Sequence, residues 1–424
     1  MSRIVILGNG ITGITAAIRL RELQPDWPIT VVSGESQYHY SRPSLMYVFM
    51  GHVRYQDTKP YEDSFWTEQR IDLRRAWVTR LDADTKSLVL QDGVELPFDQ
   101  LLLATGSKSN KFGWPGQDLP GVQGLYDLMD LKLLYENSRK CEHAVIVGGG
   151  LIGIELAEML HSRGVHVSFL VREQSYWDNV LPPEESGMIN RLIRGSGMDL
   201  RLETELGRIV GGSDGRVRAV ETKCGETIDC QLVGLTAGVS PNVDLVRESE
   251  IQVGRGILVD RSLRTNVDGV LAAGDCAEIV VPDAERNLLQ QVWYTGKAQG
   301  LVAAEVMAGR RREYHPGTWY NSAKFLDLEY QVYGSVNLGL AGEQNLYWEH
   351  PDGMHSLRLV HVDRKLVGVN VMGIRYRHET CERWIDEGRD VDWVLEHLAE
   401  GNFDPEFFRR HEDDIRVQMR RQLS

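Results

Sequence analysis

The feature that most constrains this sequence is a glycine pattern that occurs twice. The first copy, GNGITG at residues 8–13, follows an apolar run and precedes an alanine-rich amphipathic stretch that ends near Leu23 and a second apolar run at residues 29–32. The second copy, GGGLIG at residues 148–153, is followed by a helical stretch at residues 154–163 and an apolar run at residues 165–171. Strand, glycine turn, helix and strand in this order predict two βαβ units.

The glycines stand where a nucleotide pyrophosphate would require them. Gly8 makes the tight turn, Gly10 lets the backbone approach the pyrophosphate, and Gly13 lets the helix pack closely on the strand. The helix N-terminus then offers N–H groups and the positive end of its dipole to the phosphates. An incidental glycine turn is the alternative for either copy alone. The expected cofactor-binding residues are Gly8, Gly10, Ile11, Thr12 and Gly13 in the first copy and Gly148, Gly150, Leu151, Ile152 and Gly153 in the second.

Two such sites in one chain imply two dinucleotides held at once. The economical chemical reason is electron transfer between them, with a nicotinamide giving hydride to a flavin. In the first unit an acidic residue is expected after the second strand, where it would bind the adenine-side ribose. Glu35 is the candidate, although it is displaced from the usual position, and a solvated loop glutamate is the alternative.

Composition excludes several other classes of protein. The chain has 424 residues, room for about three domains. Its formal net charge of −14 disfavours nucleic acid as the main partner, because phosphate binding depends on lysine and arginine. It has no signal-peptide pattern and no apolar run of about 18 residues, so we expect a cytoplasmic protein without an integral membrane segment. The five cysteines contain no Cys-x-x-Cys, and no metal site is expected.

Three further motifs follow in order along the chain: LLLATG at residues 101–106, LTAGVSPN at residues 235–242 and LAAGDCA at residues 271–277. Together with the two glycine patterns they resemble the FAD-dependent pyridine nucleotide-disulfide oxidoreductase superfamily, over roughly residues 1–312. The resemblance implies the cofactors FAD and NAD(P)H, and an aspartate that hydrogen-bonds the ribityl chain of FAD. The cofactor-binding residues that it adds are Ala104, Thr105, Gly106, Gly238, Gly274 and Asp275.

The order of the motifs implies an α/β fold with two Rossmann-like dinucleotide-binding domains, the NAD(P) domain being inserted in the FAD domain. The expected boundaries are 1–115 and 243–312 for the FAD domain and 116–242 for the NAD(P) domain. By resemblance, residues 313–424 form a C-terminal α+β interface domain that often makes a homodimer. Alternation at residues 324–333 and 356–370 predicts strands there, and residues 379–398 have helical spacing.

The cysteines also bear on the reaction. Disulfide reductases of this superfamily carry redox cysteines on the helix after the second strand, whereas none of the five cysteines here precedes residue 141. A dithiol relay or a single redox cysteine on that helix is therefore excluded, and electrons must leave the flavin directly.

The YSRPSL segment at residues 40–45 resembles the arginine-proline segment of ferredoxin reductases, rubredoxin reductases and the flavin part of NADH-dependent nitrite reductases. In that group the arginine lies by the FAD pyrophosphate, which implies this role for Arg42 beside Pro43. A surface arginine beside a turn proline is the alternative. The ferredoxin-reductase branch often has a lysine near the isoalloxazine, and Tyr47 is the nearest equivalent here.

Three residues are expected beside the reacting rings and are the candidate catalytic residues: Tyr47, Glu155 and Trp293. Glu155 matches a family glutamate near nicotinamide and flavin, with a helix-capping glutamate as the alternative. Trp293 matches a tryptophan that borders the isoalloxazine, with a core tryptophan as the alternative. Hydride transfer requires stacked rings and a favourable electrostatic setting, and no nucleophile is expected.

The preference between NADH and NADPH depends on the residue that closes the second strand of the second unit. Val171 occupies the usual acidic place, Arg172 matches a position where NADPH-specific relatives carry arginine, and Glu173 follows. The sequence leaves both cofactors open.

The leading functional hypothesis is an FAD-dependent NAD(P)H oxidoreductase that passes electrons to a ferredoxin or rubredoxin. Ferredoxins are typically acidic, so a basic patch would be needed, and residues 74–75, 310–312 and 409–410 are candidates. The alternatives are an NAD(P)H oxidase or quinone-reducing diaphorase, and a non-enzymatic NADH redox sensor similar to apoptosis-inducing factor.

Overall fold

The computed structural model describes residues 2–282, 286–403, 406 and 409–423. These residues divide into two compact units. The first unit comprises residues 1–112, 123–140 and 235–315, and the second comprises residues 113–122, 141–234 and 316–424.

The first unit is built on a five-stranded parallel sheet, whose strands in spatial order are Val270–Ala272, Gln100–Leu103, Ile4–Leu7, Ile29–Ser33 and Ile71–Arg75. The central strand is apolar and buried at every position, as expected for a parallel strand covered on both faces. The α-helices of this unit are Ile11–Leu23, Leu45–Met50, Asp63–Glu68, Leu128–Ser138 and Trp293–Met307. Its smaller sheets are Val78–Asp82 with Ser87–Leu90 and Glu95–Pro97, Ser107–Ser109 with Val239–Pro241, and Ile257–Val259 with Ala277–Ile279.

The second unit contains another five-stranded sheet, with the order Asp199–Arg201, His166–Leu170, His143–Val147, Leu232–Leu235 and Val122–Gln123. Helices Leu151–His161 and Pro183–Gly195 accompany it, as does an antiparallel sheet of Leu206–Gly211, Val217–Thr222 and Thr227–Asp229. Both predicted βαβ units are present, and the α/β class is confirmed. The second helix begins one turn before the predicted residue 154, because Gly150 is its N-cap. The division into an FAD domain and an inserted NAD(P) domain stays a prediction.

The C-terminal part of the second unit is an antiparallel sheet, with the order Tyr320–Phe325, Leu328–Gly334, Lys365–Met372, Ser356–Val362 and Glu343–Glu349. Its helices are His378–Asp386, Val391–Glu396, Leu398–Gly401 and Glu412–Leu423. Each of the three segments predicted here contains a break. Leu326 at φ 52° turns the first, Asp363 and Arg364 at φ 47° and 66° form a two-residue hairpin in the second, and Gly388 at φ 56° ends the helix in the third.

Candidate dinucleotide sites

The first glycine segment has a different constraint at each glycine. Gly8 has a φ of +115°, and a Cβ atom there would lie 2.1 Å from the carbonyl oxygen of Ala104. A Cβ at Gly13 would lie 2.0 Å from the carbonyl oxygen of Gly8, whereas one at Gly10 would meet no atom within 4 Å. Gly8 and Gly13 are thus required by the packing of the chain. The open space at Gly10, the N-cap of a helix with no acidic residue in its first turn, is a cradle that suits a pyrophosphate.

The turn at Gly274 and Asp275 lies against this cradle, although the sequence separates the two widely. A Cβ at Gly274 would lie 2.4 Å from Thr12 Oγ1, and one at Gly296 would lie 2.8 Å from the same atom. A Cβ at Gly300 would lie 2.5 Å from the carbonyl oxygen of Thr12. The first turn of helix Ile11–Leu23 therefore contacts both the 274–275 turn and helix Trp293–Met307.

Asp275 has a defined set of hydrogen-bond donors. Ser107 Oγ donates to its Oδ2 at 3.1 Å, and Gln291 Nε2 donates to Ser107 Oγ at 2.7 Å. Burial raises the pKa of Asp275, and the Ser107 hydrogen bond and the charge of Arg42 offset this only in part. Ser107 and Gln291 belong to none of the motifs, so no sequence signal points to either residue. A carboxyl group held in this way at the cradle fits the hydroxyl-rich part of FAD.

The ATG segment and the segment after Gly238 are joined by backbone and side-chain bonds. Asn242 N–H donates to the carbonyl oxygen of Gly106 at 2.9 Å, and Thr105 Oγ1 donates to that of Asn242 at 2.7 Å. Gly106 and Gly238 have φ values of +70° and +84°, in the left-handed region that favours glycine. The structure therefore gives these two glycines a role in turning the chain.

Glu35 and Arg42 form an ion pair inside the first unit. Arg42 Nη2 lies 2.8 Å from Glu35 Oε2, the N–H of Leu128 donates to Oε1 at 3.0 Å, and the Tyr40 hydroxyl also donates to Oε1. Arg42 Nη1 donates to the carbonyl oxygen of Tyr126 at 2.8 Å, and its guanidinium lies 4.7 Å from the centre of the Tyr126 ring.

The ion pair stabilises the charged forms of Glu35 and Arg42. Burial by itself would raise the pKa of Glu35, but the charge of Arg42 and the hydrogen bonds from Arg42, Tyr40 and Leu128 outweigh it and lower that pKa. The solvated-loop alternative for Glu35 does not describe this environment, since its side chain is 13% exposed. Tyr126 and Leu128 were missed by sequence reasoning, because they lie far along the chain and outside any motif.

Tyr47 and Trp293 lie on different helices of the first unit. Tyr47 is on helix Leu45–Met50, and its ring stacks on that of His52 with centroids 6.1 Å apart. Pro43 lies in the short 3-10 turn just before this helix. Trp293 is the first residue of helix Trp293–Met307 and is 39% exposed, so it is not a core tryptophan. The ammonium of Lys297 lies 5.4 Å from the Trp293 ring centroid.

The second glycine segment repeats the shape of the first. Gly148 has a φ of +123°, and Gly150 is the N-cap of helix Leu151–His161. A Cβ at Gly149 would lie 2.8 Å from the side chain of Val171, whereas one at Gly150 would meet nothing closer than the Trp177 ring at 3.9 Å. The backbone beside Gly150 is therefore open to a ligand.

Glu155 lies one turn into the same helix and is partly buried. Burial raises the pKa of Glu155 to about 7, with a further contribution from the negative charge of Glu158. Glu158 itself pairs with Lys324, whose Nζ lies 3.1 Å from Oε1. Near neutral pH the Glu155 carboxyl group is therefore present in both forms, a protonated form that can donate a hydrogen bond and an ionised form that can only accept one.

The end of strand His166–Leu170 presents both signs of charge. Val171 is fully buried, and its N–H donates to the carbonyl oxygen of Arg201 at 2.9 Å, so it serves the fold. Arg172 is 74% exposed, and its Nε lies 2.6 Å from Glu173 Oε1. The charge expected to attract a 2′-phosphate is thus paired with a neighbouring carboxylate.

A basic groove of about 650 Å³ lies in the first unit, next to the Ser107 and Gln291 pair. It is lined by Lys108, Lys111, Arg247 and Arg255, together with uncharged groups such as Ser109 and Gln291. Asp244 pairs with Lys108 and Arg247, and Glu278 pairs with Arg255, so these three cations share two carboxylates. Sequence reasoning missed this groove because its cations come from distant segments.

Among the described residues, no helix is long and apolar enough to cross a membrane.

Known proteins resemble this chain in sequence and in fold. The sequence profile of the pyridine nucleotide-disulphide oxidoreductase family matches residues 2–300. Rhodocoxin reductase of Rhodococcus erythropolis is 28% identical over 324 residues, which are 76% of each chain. Nitrite reductase [NAD(P)H] of Bacillus subtilis is 30% identical over 374 residues, 88% of this chain but only 45% of that protein. A solved covalent complex of putidaredoxin reductase and putidaredoxin has a TM-score of 0.82 at 20% identity and covers 99% of both chains.

The family match, together with the two βαβ units, defines a flavoprotein that uses a pyridine nucleotide. The chain belongs to the pyridine nucleotide-disulphide oxidoreductase family. It is an FAD-dependent NAD(P)H oxidoreductase.

Proposed function

We propose that this chain takes hydride from NAD(P)H onto its FAD and passes the electrons to a small acidic electron carrier of the ferredoxin or rubredoxin type. The observation that carries the proposal is the open backbone at Gly10 beside the contact between Thr12 and the Gly274 turn, in a chain that has no cysteine before residue 141. The relatives that match much of the chain include a reductase named for rhodocoxin, which supports a protein acceptor.

The residues of the first unit would hold FAD at several points. Gly10 and the first turn of its helix would bind the pyrophosphate, and Arg42 would contribute positive charge beside it. Asp275 would accept hydrogen bonds from the ribityl hydroxyls, and Trp293 would border the ring system. When bound, FAD supplies an acceptor for hydride that can return electrons singly.

The residues of the second unit would bind and orient the nicotinamide nucleotide. Gly150 and the helix it caps would take the pyrophosphate, and Arg172 would face the adenine-side ribose. Glu155 would hold or release a proton at its carboxyl oxygen near neutral pH. We also propose that the FAD domain spans residues 1–115 and 243–312, the NAD(P) domain 116–242 and a C-terminal domain 313–424.

The basic groove is the proposed docking surface for the carrier. Its lysines and arginines would attract an acidic partner in spite of the overall charge of −14. Such attraction acts mainly on the rate of association and weakens as salt screens it.

Two glycine variants test the two sites separately. A methyl group at Gly10 meets no protein atom, so Gly10→Ala should fold normally and lose FAD. Gly150→Ala should keep FAD and its reduction by dithionite, but lose anaerobic reduction by NADH or NADPH in stopped-flow absorbance. Equal loss of flavin in both variants would contradict the assignment of two separate sites.

The acceptor is tested by mixing the reduced protein with ferredoxin, rubredoxin, oxygen or a quinone. We expect fast electron transfer to a protein carrier, with a KM that rises with salt and in Lys111→Glu. Lys140→Glu is the matched control, because it makes the same charge change at an exposed lysine outside the groove. Faster reaction with oxygen or quinone than with either carrier would contradict the proposal.

A further inference from the structure

A cluster of three histidines and one aspartate lies at one end of the C-terminal antiparallel sheet, in a part of the chain that the proposed function does not use. Its members are His350, Asp352, His355 and His411. Three imidazoles and a carboxylate in one place are a recognised set of metal-ligating groups.

The register of the sheet places two of the histidines side by side. Strand Glu343–Glu349 pairs with strand Ser356–Val362 so that Glu349 lies opposite Ser356. His350 N–H donates to the carbonyl oxygen of His355 at 2.9 Å, which extends the pairing by one residue into the loop. Residues opposite each other in an antiparallel pair project to the same face. The backbone therefore holds these imidazoles together, with ring centroids 5.7 Å apart.

The loop between the two histidines adds a carboxylate. Asp352 Oδ2 lies 2.9 Å from Nδ1 of His350 and 2.9 Å from Nδ1 of His355. Gly353, at a φ of +69°, turns the loop, and its N–H donates to the carbonyl oxygen of His350 at 2.9 Å. One ligand atom from each of His350, Asp352 and His355 thus lies within 4.8 Å of the other two.

His411 approaches the same point from another element. It is buried, and its ring centroid lies 5.1 Å from that of His350 and 5.0 Å from that of His355. It immediately precedes helix Glu412–Leu423. This helix is bonded to strand Glu343–Glu349, because Trp348 Nε1 donates to Asp414 Oδ2 at 2.7 Å. The Trp348 ring also contacts the His411 ring at 5.2 Å.

We propose that His350, Asp352 and His355 bind a divalent transition-metal ion such as Zn²⁺, with His411 beside them as the third imidazole of the site. Zinc binds nitrogen and oxygen at about 2.0–2.2 Å, so neighbouring ligands of a tetrahedral ion lie about 3.4 Å apart. Asp352 Oδ2 lies 2.9 Å from each histidine Nδ1, and the three ligand atoms lie within 4.8 Å of one another, so one ion can reach all three once the side chains adjust. Nitrogen ligands disfavour Mg²⁺ and Ca²⁺, which prefer oxygen.

The site has a structural consequence, because its ligands come from a hairpin loop while His411 leads into the last helix. A bound ion joins the two and stabilises the C-terminal part of the second unit, since an ion that binds only the folded state raises its stability. This inference is independent of the electron acceptor.

The experiment uses the full-length FAD-loaded protein without a polyhistidine tag, stripped with EDTA and desalted. Titration with Zn²⁺ against a chromophoric chelator should give one zinc per chain, and Co²⁺ should give a visible ligand-field spectrum. Zinc should also raise the midpoint of thermal unfolding. Mg²⁺ at the same concentration should neither bind at one ion per chain nor raise the midpoint of thermal unfolding.

Variants assign the ligands. His355→Ala should abolish one-to-one binding, and His411→Ala should weaken it about 10- to 100-fold, as for a supporting residue. Asp352→Asn preserves the shape of the loop and should also lose tight binding, so it decides the case if His355→Ala misfolds. His315→Ala is the control, because that histidine side chain is 70% exposed, and it should bind zinc as the wild type does. Less than one zinc per wild-type chain, or undiminished binding by Asp352→Asn, would overturn the proposal.

Discussion

Replacing Glu155 by glutamine removes a carboxyl group whose environment opposes its ionisation. Burial, and after it the charge of Glu158, raises the pKa of Glu155 from an ordinary value of 4.5 to about 7. Glutamine has nearly the same shape and stays neutral at every pH. The variant therefore isolates the free energy of ionising this one group.

The sign follows from proton binding. Between pH 4.5 and about 7 the folded state holds a proton on Glu155 that the unfolded state has released. The contribution of Glu155 to the free energy of unfolding is therefore fully present below pH 4.5, and it is lost as the pH rises from 4.5 through about 7. A pKa difference of about 2.5 corresponds to about 3.4 kcal/mol at most, at 1.36 kcal/mol for each pKa unit. The Glu155 side chain is only partly buried, and solvent screening reduces the expected cost to about 1–3 kcal/mol.

The assay is urea unfolding of FAD-loaded wild type and Glu155→Gln at pH 5, 6, 7 and 8, without nicotinamide nucleotide. We expect the two proteins to converge toward pH 5 and the variant to be the more stable at pH 8. Glu158→Gln is a second probe, because it removes the negative charge that helps to raise the Glu155 pKa. The loss of stability should then be smaller than in the wild type and should end at a lower pH. A wild-type advantage that grows between pH 5 and 8 would refute the reasoning.

Three other substitutions follow from single contacts. Arg358→Ala should lower the free energy of unfolding in urea by about 3–5 kcal/mol, because it leaves the fully buried Glu185 without the guanidinium that lies 2.8 Å away. The double variant Arg358→Met, Glu185→Gln should recover most of this loss. A loss under about 1 kcal/mol in Arg358→Ala would contradict the reasoning. Glu173→Gln should release Arg172 and raise the ratio of kcat/KM for NADPH over NADH up to about fivefold, whereas a lower ratio would argue against a role of Arg172 at the 2′-phosphate. Gly13→Ala should lower the free energy of unfolding, measured by heat, by about 1–3 kcal/mol, because its Cβ would lie 2.0 Å from the carbonyl oxygen of Gly8. A variant as stable as the wild type would show instead that the helix can shift to make room.

The sequence by itself determined the local architecture of both βαβ units. Each unit depends on neighbours within about thirty residues, because apolar runs form buried parallel strands and glycines at fixed spacing permit the turn and the close packing of the helix. The same short spacing explains why the tight turn at Gly8 and the close helix packing at Gly13 could be predicted. The absence of cysteine before residue 141 likewise needs no structure to exclude a dithiol on the N-terminal helices.

Only the tertiary structure decided which distant groups meet. It brings Thr12 to the Gly274 turn, closes Glu35 onto Arg42 and the N–H of Leu128, and gathers basic side chains from separate segments into one groove. It also places His411 against His350 and His355, so a sequence search based on cysteine spacing could not find that cluster. Burial sets the charge state of Glu155, and burial is a property of the packed chain. A sequence records which groups are available, whereas their separations, desolvation and pKa values arise only when the chain closes long loops and excludes water.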